Sequence, residues 1–207
     1  KKVENKLALQ REVGLPENPD VPLIGIVTRL TWQKGLDLII NRFEELMKRD
    51  VQVVILGAGD QKYEGPLKGF AGYHNQKFSL NLKYDANLAM RIYASSDMFL
   101  MPSLFEPCGL SQMMALRYGS VPIVRETGGL KDTVFPYNEY EDTGTGFSFS
   151  NYNAHEMLYV INYAKSVWQN NKKAWQAMMK RAMKADFSWD NSAKSYIEVY
   201  NYLLGSV

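Results

Sequence analysis

Cysteine, histidine and net charge are scarce in this chain, and each scarcity excludes something. One cysteine, Cys108, occurs among 207 residues. No internal disulfide can form, and a reducing, cytoplasmic setting is the simpler expectation. His74 and His155 are the two histidines. They lie far apart in sequence, without Cys or carboxylate partners at ligand spacing, so no metal site is expected. Lys plus Arg number 24 against 22 Asp plus Glu, a balance that predicts neither nucleic-acid nor membrane partners. No apolar run reaches the length of a membrane span. The chain has no P-loop and no Gly-x-Ser-x-Gly. It also lacks Gly-x-Gly-x-x-Gly after its first strand, which argues against a nicotinamide dehydrogenase. The opening Lys1-Lys-Val-Glu-Asn-Lys6 is polar, so no signal peptide is expected there. The first residue is not Met and the chain starts inside a helical pattern, so a fragment of a longer protein is expected.

What remains is an ordinary globular composition, 46% hydrophobic and 22% charged, organised as alternating strands and helices. Leu23–Thr28, Val51–Leu56, Met98–Met101 and Val121–Arg125 are short, apolar and β-branched or aromatic, as strands buried on both faces are. Phe78–Leu82 alternates, and Gly144–Phe149 is a short sixth strand fenced by glycine. Helices are predicted over Val3–Val13, Leu36–Met47, Gln61–Phe70, Ala86–Ala94 and Leu110–Tyr118. Gly65-Pro66 weakens the third of these. From Asn153 to Leu204 the pattern is helical, broken near Asp186–Trp189, with Ser188 as N-cap of the last helix. This alternation predicts an α/β fold: one Rossmann-like parallel sheet with helices on both faces, joined by right-handed crossovers.

In such sheets ligands bind beyond the carboxyl ends of the strands, and four groups of residues fall there. Arg29-Leu-Thr-Trp-Gln-Lys-Gly35 follows the first strand and carries two cations on one loop. Arg29 offers a planar fork and Lys34 a point charge, a pair suited to a diphosphate, although a solvated basic loop is an equal reading. Trp32 between them is expected to pack. Gly57-Ala-Gly-Asp60 follows the second strand. It reads as a tight turn with Asp60 capping a helix, its glycines also permitting close backbone approach to a ligand. Ser103-Leu-Phe-Glu-Pro-Cys-Gly-Leu-Ser111 follows the fourth strand. Glu106 precedes Pro107 in a loop, where burial is less expected than in a helix. Its carboxylate suits sugar hydroxyls or a developing cation, and the N–H groups near Gly109, Leu110 and Ser111 suit a phosphate. Cys108 alone is expected to be a small buried hydrophobe. Thr127-Gly-Gly-Leu130 with Asp132 reads foremost as a capped turn. Tyr84, past the third strand, is an aromatic at that edge suited to stacking on a base, although taken singly such a residue is more often core or rim.

The order and spacing of these segments resemble one family. Arg29-Leu-Thr-Trp-Gln-Lys-Gly-Leu-Asp37, Gly57-Ala-Gly-Asp60, Phe105-Glu-Pro-Cys-Gly-Leu-Ser-Gln112, Ala115-Leu-Arg-Tyr-Gly119, Thr127-Gly-Gly-Leu130 and Phe187-Ser-Trp189 are similar to the C-terminal half of bacterial-type glycogen and starch synthases. The resemblance spans roughly Asn5 to Leu204. It implies one half of a retaining GT-B glycosyltransferase, moving glucose from ADP-glucose to the non-reducing end of an α-1,4-glucan. It further implies that Arg29 and Lys34 hold the diphosphate and that Glu106 contacts the transferred glucose. Gly57 and Gly59 border the donor, and Tyr84 lies against adenine. Backbone at Cys108, Gly109 and Leu110, with Ser111, binds sugar and phosphate. No metal or other cofactor is implied. The glucan acceptor is held mainly by an N-terminal domain absent here, toward which the last helix, about 189–204, is expected to pack. Met114 stands where the wider superfamily often has a second Glu, a departure shared by glycogen synthases. Ser111 stands where many members have Thr. Alternatives are a GT-B domain using UDP-glucose or another acceptor, and a non-catalytic nucleotide-binding module.

Overall fold

The computed structural model describes residues 1–205. Six strands form one sheet: β1 Leu23–Val27, β2 Gln52–Leu56, β3 Phe78–Asn81, β4 Met98–Met101, β5 Val121–Arg125 and β6 Phe147–Phe149. All five pairings are parallel, in the order β3-β2-β1-β4-β5-β6. The apolar strands were legible because parallel strands bury both faces. Alternate residues point into the cores on opposite faces, with Val124 joining Leu116, Leu130, Val134 and Ala182 in a small third cluster. Ile24, Ile26, Val53, Ile55, Met98, Leu100, Val121 and Ile123 enter the larger one. Leu23, Val54, Leu56 and Phe99 enter the smaller one on the opposite face.

The helices are α1 Lys2–Glu12, α2 Leu36–Asn41, α3 Phe43–Met47, α4 Gln61–Tyr73, α5 Ala86–Ser95, α6 Ser111–Arg117, α7 Gly128–Thr133, α8 Ala154–Asn170, α9 Lys172–Lys184 and α10 Trp189–Leu203. Residues of α2, α3, α4, α8 and α9 fill the larger core, and those of α1, α5 and α6 the smaller. The layers are therefore helix, sheet, helix, as the alternation predicted.

Four local outcomes differ from expectation. The segment 36–47 is two helices, because Arg42 leaves helical geometry (φ −118°, ψ 18°). Its guanidinium contacts Glu45 and His155 instead. Conversely, α4 runs through Gly65-Pro66 to Tyr73. Pro66 removes a single rung, and the buried Tyr63 and Leu67 anchor the helix around it. Asp60 precedes α4 but makes no side-chain cap; Glu64 accepts the Gly59 N–H at 3.0 Å instead. The long C-terminal helical stretch has a further break at Asn171, whose side chain caps α9 by accepting the Ala174 N–H. Ser188 does cap α10, accepting the Asn191 N–H. No residue of α10 is buried, although Trp189, Tyr196, Ile197, Tyr200 and Leu203 lie along it.

Candidate functional site

The strand order reverses direction between β1 and β4, and the segments leaving these two strands diverge there. Brought together at their carboxyl ends are the loop after β1 and the loop after β4. Arg29, Lys34, Glu106, Gly109, Leu110 and Ser111 line one cavity at this point, of about 190 Å³. A crevice at the switch point of a doubly wound sheet is where this architecture binds ligands.

At its floor lies an ion pair. Lys34 Nζ is 2.5 Å from Glu106 Oε2, and Ser103 Oγ donates to the same oxygen at 3.2 Å. Glu106 is buried, 7% exposed, contrary to the expectation for a loop carboxylate. Burial of a carboxylate is costly without such partners, and both come from the chain around it. Arg29 at the cavity edge is exposed and has no ion-pair partner among the described residues.

The loop carrying Glu106 is held from three sides. Gln33 O accepts the Leu104 N–H at 2.9 Å, tying it to the Lys34 loop. Arg125 at the end of β5 donates from Nε to Ser103 O at 2.8 Å and from its other nitrogens to Leu104 O and Ser150 O. The Gly129 N–H donates to Glu106 O at 3.0 Å. A Cβ on Gly129 would lie 1.9 Å from Cys108 O. Thr127-Gly-Gly-Leu130 is thus a platform under the Glu106 loop. Gly35 serves similarly: its φ is +73°, and a Cβ there would meet Pro102 O at 2.0 Å. Only glycine lets the two loops close on each other.

The N–H groups of Gly109 and Leu110 donate to no backbone carbonyl among the described residues. They precede α6 and border the cavity. Gln112 Nε2 fixes the loop by donating to Cys108 O and Gly109 O at 3.1 and 2.9 Å. Cys108 is exposed, which corrects its reading as a buried hydrophobe. Tyr93 donates its hydroxyl to Ser111 Oγ at 3.0 Å, and burial pushes that phenol up. Trp32 is exposed and packs against Phe105, ring centroids 5.5 Å apart.

A second, largely apolar cavity of about 440 Å³ adjoins the first, both sharing Val27, Thr28 and Arg29. Gly57, Tyr84, Ala89, Met90 and Tyr93 are among its lining residues. Tyr84 is 94% exposed, standing over this space with little support. Gly59 is exposed in the same loop but does not line the cavity; its N–H is held by Glu64. Arg29 therefore stands between a charged compartment and an apolar one. Sequence reasoning missed Ser103, Tyr93 and Arg125. Arg125 had a signal, a cation closing a buried strand at the ligand edge; Tyr93 had none, sitting as an ordinary core position of α5. Among the described residues no cluster of three His, Cys, Asp or Glu is arranged to hold a metal.

Residues 10–182 match the family described as Glycosyl transferases group 1. The chain belongs to this family. It is 57% identical over 202 residues to a glycogen synthase of Lachnospira eligens, covering 98% of this chain and 42% of that protein. A glycogen synthase of Clostridium perfringens is 56% identical over 203 residues, with the same coverage. The chain thus spans about two-fifths of the length of these relatives. Among solved structures, the catalytic domain of Starch Synthase IV from Arabidopsis thaliana, bound to ADP and acarbose, superposes with a TM-score of 0.87 at 38% identity. That match covers 97% of this chain and 42% of the other. Within the glycosyltransferase family, the six parallel strands and flanking helices are the GT-B type of Rossmann-like domain. No helix among the described residues is long and apolar enough to cross a membrane.

Proposed function

We propose that this chain is the donor-binding, C-terminal domain of a retaining glucosyltransferase that transfers glucose from ADP-glucose to the non-reducing end of an α-1,4-glucan. The observation that carries this is the convergence of Arg29, Lys34 and Glu106 on one cavity beside an apolar compartment. A nucleoside diphosphate sugar has matching parts: a flat base, two phosphates and a neutral polyhydroxylated ring. The names of the similar proteins, glycogen synthases and an ADP-bound starch synthase, support the same reading.

In this reading the base enters the apolar compartment against Tyr84, with Gly57 allowing close approach and Gly59 supporting the loop. Arg29, exposed and without an ion-pair partner among the described residues, meets the diphosphate first. Lys34 is shared between Glu106 and the phosphate, so negative charge gained by the leaving group is met by a cation already in place. The free N–H groups at Gly109 and Leu110, with Ser111 and the backbone of Cys108, take the remaining phosphate and sugar oxygens. Glu106, paired with Lys34 and Ser103, accepts hydrogen bonds from the glucose hydroxyls and opposes positive charge at its anomeric carbon. Attack from the same face, with the departing phosphate taking the acceptor's proton, needs no protein base in this chain. The glucan is held mainly by the part of the relatives' length that this chain does not span. The uncovered apolar residues of α10 support its packing toward that part. The lone exposed Cys108 supports a reducing, cytoplasmic setting.

Calorimetric titration tests this reading. ADP binds the chain, UDP binds at least tenfold more weakly, and Arg29→Ala loses about 1.5–3 kcal/mol, the scale of a hydrogen bond to a charged group. Absence of heat with both nucleotides would falsify it. Equal binding of UDP would shift the donor assignment.

A further inference from the structure

A groove of about 510 Å³ lies away from the donor cavity, between the loop joining α7 to β6 and the helix α8. Tyr137, Tyr140 and Tyr163 line it. Tyr159, one turn before Tyr163 on α8, is 73% exposed, and Tyr140 is 93% exposed. The Tyr163 hydroxyl is raised first by burial and then by Glu139, Tyr137, Tyr140 and Tyr159. Glu139, Tyr137 and Tyr140 share the groove lining with it.

The loop is built rather than loose. Asn138 Oδ1 accepts the N–H groups of Tyr140 and Glu141 at 3.0 and 3.3 Å. Asn138 and Thr143 pair through their backbones in both directions. Arg181 donates to Gly144 O at 2.8 Å and pairs with Asp142. Phe147 props the inner rings, edge-on to Tyr163 at 5.5 Å and tilted to Tyr137 at 5.9 Å. The inner tyrosines are thus fixed on the core while Tyr140 and Tyr159 stand in water.

The chemistry of the lining selects a ligand class. Among the described residues Glu139 is the one charged member of the lining and no Lys or Arg contributes, so a phosphate or nucleotide is disfavoured. Tyrosine presents an apolar ring face and a polar tip, and Asn138 and Glu139 add hydrogen-bonding groups. Flat rings with peripheral polar groups complement a neutral sugar ring, whose C–H face stacks while its hydroxyls bond sideways. We propose that this groove is a second carbohydrate site, binding an α-1,4-glucan chain outside the reaction cleft. The proposal rests on the glucan reading above. Gly146 approaches Pro122 O near the start of β5, placing the loop at the edge of the sheet opposite the donor cavity. A polymer spans that separation; a single sugar does not. Such a site tethers the polymer and raises the local concentration of chain ends.

Native electrophoresis through gels with and without glycogen tests the site, alongside titration with maltoheptaose. The chain is retarded by glycogen and binds maltoheptaose with a dissociation constant on the order of 1 mM. The double variant Tyr140→Ala/Tyr159→Ala migrates freely yet retains the ADP heat of the parent. Unretarded parent, or retarded double variant, overturns the proposal. If sedimentation instead shows self-association that the double variant abolishes, without retardation, a second copy occupies the face and the proposal is wrong. Loss of ADP binding with retention of glycogen binding would count against the donor reading alone.

Discussion

Lys34 and Glu106 are separated by 72 positions, yet their charged atoms lie 2.5 Å apart with both side chains largely out of water. The pair joins two loops from adjacent strands and makes the donor cavity a single object. Removing the lysine leaves a buried carboxylate with only Ser103. Lys34→Met is expected to lower stability by about 2–3 kcal/mol, below the span for fully buried pairs because some solvent reaches this one. Glu106→Gln keeps the Ser103 contact and costs less. In urea denaturation the double variant is more stable than the sum of the singles predicts. Strict additivity would mean the two groups do not interact.

Arg125 touches neither proposed sugar nor phosphate; it acts through the carbonyls of Ser103, Leu104 and Ser150. It is a positioning residue. Arg125→Lys retains the charge but not the planar fork of donors. We expect ADP-glucose affinity to fall about tenfold, equivalent to 1.4 kcal/mol, with ADP affinity changed less. The phosphate ligands stay while the Glu106 loop loosens. Equal losses for both ligands would assign Arg125 a merely global role.

Gly129 has backbone, not a flexible side chain, where its Cβ would go. Gly129→Ala forces the Cys108 carbonyl away and breaks the hydrogen bond to Glu106 O. Thermal unfolding is expected to show a loss of about 2–3 kcal/mol, the scale of overpacking. Gly72, where nothing lies within 4 Å of a Cβ, accepts alanine with a gain instead, because helix propensity then rules. A Gly129→Ala variant as stable as the parent would show that the two loops are not tightly apposed.

Two carboxylates near the apolar compartment give a dependence on acid. The Gly59 N–H holds the Glu64 carboxyl below its usual range, aided by Lys68. The Leu88 N–H, then Lys83, does the same for Asp85. A lowered folded pKa means the fold favours the ionised form. The contribution is complete above the ordinary values, about 4 for both residues, and disappears as pH falls through the folded values. Melting temperatures followed from pH 6 down to about 2.5 should decline less steeply for Glu64→Gln and Asp85→Asn than for the parent. Parallel curves would rule out both groups as the source.

Local chemistry alone determined the strands and most turns. Leu23–Val27, Gln52–Leu56, Met98–Met101 and Val121–Arg125 are readable because a strand buried on two faces must be apolar throughout. Gly57 marks the end of Gln52–Leu56, where the backbone passes close to the Thr28 carbonyl. The same reasoning placed Arg29, Lys34 and Glu106 at one edge of a sheet, since every loop leaving a parallel strand's carboxyl end emerges on that side. Tertiary structure decided what the strand order is, and so which loops meet. Pairing of β1 with β4 depends on burying surfaces far apart in the chain, which no local pattern encodes. From that pairing come the Lys34–Glu106 contact and the burial of Glu106; the role of Arg125 and the support beneath by Gly129 come from the pairing of β4 with β5. The break at Arg42 and the exposure of Cys108 belong there too: each is settled by neighbours from distant segments, whose energies outweigh the preferences of the residues themselves.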